Sequence, residues 1–78
     1  MSYEYRIVTE TLYHEEIGYY KSAGIELIMN DGISSQRIDF ISDVSTDFKD
    51  VHLLIELMNR AHLSPTMFRK VVDDVFFS

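Results

Sequence analysis

The sequence predicts an α+β domain: a three-stranded antiparallel meander followed by two helices packed on one face, in the order β-β-β-α-α. Three observations carry this. Polar and apolar residues alternate over the first half, Asn30-Asp31-Gly32 marks a tight turn, and apolar spacing becomes helical after Ser45-Thr46-Asp47. Seventy-eight residues without linkers, low-complexity tracts or repeats make a single domain, 1–78.

From Tyr3 to Tyr13 the first strand puts Tyr3, Tyr5, Ile7 and Thr9 on one side and Glu4, Arg6, Val8 and Glu10 on the other. Glu15-Glu16 and Gly18 break the pattern. A second strand, Tyr19 to Met29, sets Ala23, Ile25, Leu27 and Met29 against Ser22, Gly24, Glu26 and Ile28. Gly24 within it signals a bulge or a close backbone approach. Asn, Asp and Gly at 30–32 tolerate the positive φ of a hairpin turn. The third strand, about Gln36 to Asp43, places Ile38 and Phe40 on one face and Arg37, Asp39 and Ile41 on the other.

Ser45, Thr46 and Asp47 offer oxygens to the free amides of a helix start, and Asp47 and Asp50 suit its positive dipole end. Phe48, Val51, Leu54, Ile55, Met58 and Ala61 form a wide apolar stripe at about 100° per residue, with His62 beside it as a half-buried helix-end residue. Leu53 and Leu57 fall roughly 120–160° away and need another cover. Ser64-Pro65 reads as the cap and first position of a second helix. Met67, Phe68, Val71, Val72, Val75 and Phe76 give it an apolar face, expected to shield Leu53 or Leu57. Arg69 with Asp73 and Lys70 with Asp74 have the spacing of contacts along one helix.

No catalytic constellation is present. There is no cysteine, and no serine sits in a glycine-flanked elbow. Gly18, Gly24 and Gly32 are too far apart for a nucleotide-binding fingerprint. His52 and Glu56 share a helix face, but two ligands do not make a metal site. The expectation is therefore a protein that is not an enzyme and has no cofactor. A net charge of -6 disfavours direct nucleic-acid binding and anionic membranes. The opening MSYEYRIVTE has no apolar run of signal-peptide or membrane-helix length, so a cytoplasmic protein is expected.

Several segments carry a resemblance: YEYRIV, AGIEL, SDVSTD, LMNRAHLSP and VVDDVF. Together they resemble a family of small Firmicutes proteins known only as a domain of unknown function. Asp43, Ser45, Asp47, Asn59, Ser64 and Pro65 match its motif; Thr66-Met67-Phe68 departs from the His-Leu and acid-rich helix that follow Ser-Pro there. The resemblance implies no activity, substrate or cofactor.

What remains is surface. A sheet covered on one face leaves Val8, Ile28 and Ile41 on the other, while Leu53 and Leu57 lie outside the helical stripe. Phe76 and Phe77, being adjacent, cannot both face the core. Val8, Ile28, Ile41, Leu53, Leu57 and Phe77 are thus the interface candidates of a non-enzymatic protein–protein interaction or regulatory module, with a homodimer as one form. The alternative is an acidic nucleic-acid mimic inhibiting a nuclease or other nucleic-acid-binding protein, as small phage or mobile-element proteins do. Asp39, Asp43, Asp47, Asp50, Asp73 and Asp74 would then stand in for phosphates.

Overall fold

A computed structural model describes residues 1–78. Strands β1 (Ser2–His14), β2 (Gly18–Asn30) and β3 (Ser35–Ser45) form one antiparallel sheet in the order β1-β2-β3. Helix α1 (Phe48–Arg60) follows; then a 3₁₀ turn (Pro65–Met67), α2 (Phe68–Val72) and a π turn (Asp73–Phe77) run on from one another. The α+β meander with two helices on one face is as the sequence predicts.

Local chemistry closes each turn. Gly18 takes φ +78° at the first hairpin and Gly32 takes φ +91° at the second. In the second, Asn30 Oδ1 accepts from the Gly32 amide at 2.8 Å, and Asp31 Oδ1 accepts from Ile33 and Ser34 at 2.9 Å each. Asp47 caps α1 by accepting from the Asp50 amide at 3.2 Å.

The core lies between one sheet face and the helices. Tyr5, Ala23, Ile25 and Leu27 meet Val51, Leu54, Ile55 and Met58 of α1 and Phe68 and Val72 of α2. The Phe68 and Tyr5 rings are tilted against each other at 5.1 Å. Tyr5 finishes the join by donating its hydroxyl to the Leu63 carbonyl at 2.8 Å.

Four expectations need correction. The second helix is not uniform, and Ser64 makes no side-chain cap; its hydroxyl pairs with Thr66 at 3.0 Å. Arg69 does not pair with Asp73, because it reaches across to Asp39 and the Phe40 carbonyl, while Lys70 does pair with Asp74. His62 is exposed, not half-buried, because the chain turns there with φ +52° and leaves the helix. Neither Leu53 nor Leu57 is shielded by α2.

Candidate functional site

The helical layer leaves part of its own apolar surface uncovered. Leu53 and Leu57 are one turn apart on α1, 51% and 58% exposed. Asn59 lies on the shoulder of α1 that touches β1, and the helical rotation puts Leu53 and Leu57 on the opposite shoulder. On that side α2 is anchored to β3 through Arg69 and Asp39. The second helical segment adds exposed Met67 and Val75 around half-buried Val71. Phe76 packs on the core and Phe77 stays exposed, the division expected of adjacent positions.

Ile41 belongs elsewhere. It pairs with Ile25 in the sheet and packs half-buried against the core on the helix side. Its expected place on the open face is therefore corrected: Phe40 takes that face instead, paired with Glu26 and lying over Gly24. A recess of about 460 Å³ between α2 and β3 gathers Ile41, Phe77, Asp73 and Asp74 with Arg69, Lys70 and Val72. Val8 is half-buried on the open face and Ile28 is buried there, 7% exposed. Around them Arg6 pairs with Glu4, and Arg37 pairs with Glu26 while its guanidinium stacks over Phe40 at 4.4 Å. The open face covers its own apolar residues with charged side chains.

Gly24 makes that arrangement possible. A Cβ there would meet the Ile41 carbonyl and the Phe40 ring at 2.9 Å and Glu10 Oε2 at 3.0 Å. Through the gap Glu10 of β1 spans the middle strand, accepting from the Ser42 hydroxyl and the Asp43 amide of β3 at 2.8 Å each. Asp43, at φ +52°, in turn accepts from buried Ser22 at 2.5 Å and from Tyr20 at 3.0 Å. Hydrogen bonding to Asp43 holds the Tyr20 hydroxyl above its ordinary range. The close approach predicted at Gly24 is present.

Of the six acidic candidates, four have structural partners. Asp39 binds Arg69, whose guanidinium holds its carboxyl below the ordinary value, and Asp74 binds Lys70. Asp43 serves Ser22 and Tyr20, and Asp47 caps α1. Asp50 and Asp73 are exposed. His52 is exposed on α1, and Glu56 pairs with Arg60.

Sequence reasoning missed the edge of β1. Tyr5 offers its backbone outward, and Asn59 answers both groups: Oδ1 accepts from the Tyr5 amide at 2.8 Å and Nδ2 donates to its carbonyl at 2.9 Å. The side-chain amide thus takes the place of one rung of a neighbouring strand. The signal available in the sequence was an Asn on the helix face otherwise given to Phe48 and Ile55. A larger recess, about 800 Å³, runs beside this join from Met1 to Tyr5 and is closed by Met58, Asn59 and the 62–65 segment.

Fold and surface together define a small α+β domain with an uncovered helical shoulder and one capped sheet edge. By sequence the chain belongs to the family of unknown function DUF6514, whose model matches residues 1–77. No curated protein and no solved structure matches it. No helix is long and apolar enough to cross a membrane.

Proposed function

We propose that the domain is a non-enzymatic protein–protein interaction or regulatory module of the cytoplasm, and that the helical shoulder of Leu53 and Leu57 receives its protein partner. The observation that carries this is their exposure at half or more on a helix whose other apolar residues are buried or, at Phe48, packed half-buried on the core. Two adjacent exposed leucines in a domain this small make a compact anchor. The acidic-mimic reading has less support, because most of its carboxylates hold arginine, lysine, hydroxyls or backbone amides of the same chain.

Burying a leucine is worth about 1.5–3 kcal/mol, so Leu53→Glu with Leu57→Glu should weaken a partner by roughly 100-fold or more. Affinity capture from the native host with wild type and the double variant, each at low and high salt, tests this. Retention by wild type in high salt and loss in the double variant supports an apolar anchor. Equal capture by both, released by salt, would instead favour mimicry.

A further inference from the structure

We infer that the edge of β1 from Ile7 to Tyr13 pairs with the same edge of a second copy, antiparallel and centred on Glu10, to make a continuous six-stranded sheet. This builds on the domain being an interaction module but uses a different surface from the leucine shoulder. The two edges of the sheet are treated differently. The β3 edge carries two register irregularities, and Arg69 crosses to it from α2. The β1 edge is capped at Tyr5 alone. With the unbroken β1–β2 register, the outward amides and carbonyls continue at every second residue: Ile7, Thr9, Thr11 and Tyr13. No helix-to-strand or side-chain hydrogen bond reaches those backbone groups. Ile7 to Tyr13 contains no Pro or Lys, the residues that commonly guard an edge.

Self-complementarity selects a second copy as the occupant. Centring on Glu10 pairs Ile7 with Tyr13 and Thr9 with Thr11 on the helix side, and Val8 with Leu12 on the open face. Aliphatic–aromatic, Thr–Thr and apolar pairs are the favourable cross-strand combinations. The register also matches hydrogen-bonding residues to hydrogen-bonding residues and stops short of Tyr5, which Asn59 occupies. The two Glu10 residues meet at the dyad, but each carboxylate is turned inward across Gly24 to Ser42 and Asp43. Pairing also accounts for the Tyr13 and Tyr19 rings, tilted against each other at 5.1 Å and exposed beyond the end of β3. Each pair would lie beside the partner's half-buried Ile7.

Light scattering on wild type should give twice the 9.1 kDa of one chain. Thr9→Pro removes an outward amide without touching the β1–β2 ladder, so it should leave a folded monomer by circular dichroism. The cysteine-free chain permits a second measurement that does not depend on that variant folding. Val8→Cys with Leu12→Cys should form an oxidised dimer, because these residues face each other as a close, non-hydrogen-bonded pair, whereas either substitution alone should not. A monomeric wild type at its highest soluble concentration overturns the proposal and leaves the edge to a strand of another protein. A dimer indifferent to Thr9→Pro, or single cysteines that cross-link as well as the pair, overturns it also. Leu53→Glu with Leu57→Glu should leave the dimer mass unchanged, which separates failure here from failure of the shoulder.

Discussion

At Gly24 the absent side chain is the structural element. Any Cβ meets a backbone carbonyl at 2.9 Å, which a flexible side chain cannot relieve by moving. Gly24→Ala should therefore cost about 1–3 kcal/mol in urea unfolding, the range for overpacking. Asp39 makes a different test. Its carboxyl is held below the ordinary 3.8 by Arg69, so its contribution is present at neutral pH and is lost as pH falls through the folded-state value. Glu4 and Asp31 are shifted the same way, by Arg6 and by the Ser34 and Ile33 amides respectively. Thermal unfolding should show Arg69→Gln less stable than wild type at pH 7. That gap should narrow as pH falls below the ordinary 3.8 and close only below the lowered folded-state value, where Asp39 is protonated in the folded chain too and has no charge for Arg69 to hold.

Elements were legible where the governing chemistry is local. The alternation of β1 and β2, the Asn30-Asp31-Gly32 turn and the Asp47 cap all appear where the residues place them. In β3 the alternation was right that Asp39 and Ile41 share a face, yet their face was assigned wrongly. A large aromatic at position 40 reads as core, and only the gap at Gly24, sixteen positions earlier, shows that its ring belongs outside. The extra residue near Ile38 then brings Arg37 onto the same side as Phe40, which no strict period of two allows. Likewise Arg69 preferred a strand thirty residues away to its own helix. The leucine shoulder was legible from helical rotation; that it stays uncovered depends on how α2 docks. The second helix gives a contrast to measure. Phe68→Ala, at a fully buried position against Tyr5, should cost about 3–5 kcal/mol, whereas Phe77→Ala should stay within about 0.5 kcal/mol.

The molecule measures 44 × 26 × 19 Å, long for its mass. The length comes from β1 and β2, which continue paired to His14 and Gly18 after β3 has left the sheet at Ser45. That end is a two-stranded ribbon, and a lone hairpin is marginal in water. Hydrogen exchange on the monomeric Thr9→Pro variant should find the inward amides of Leu12, His14 and Tyr20 opening well before those of Ile25 and Leu27, which lie in the buried core. Protection of the ribbon equal to that of the core would show that it does not open independently.

The Asn59 rung has one more consequence. A carboxamide is chemically a single peptide unit, so α1 ends by presenting one link of a fourth strand and nothing to continue it. Such a stop works as an index mark: any chain that lays itself along β1 must begin beyond it, and its phase is set before a side chain has been read. Converting the carboxamide to a carboxylate, as slow deamidation does, erases the mark. The acid still accepts from the Tyr5 amide but turns a negative oxygen toward its carbonyl, so the protein's age would be written at the strand edge.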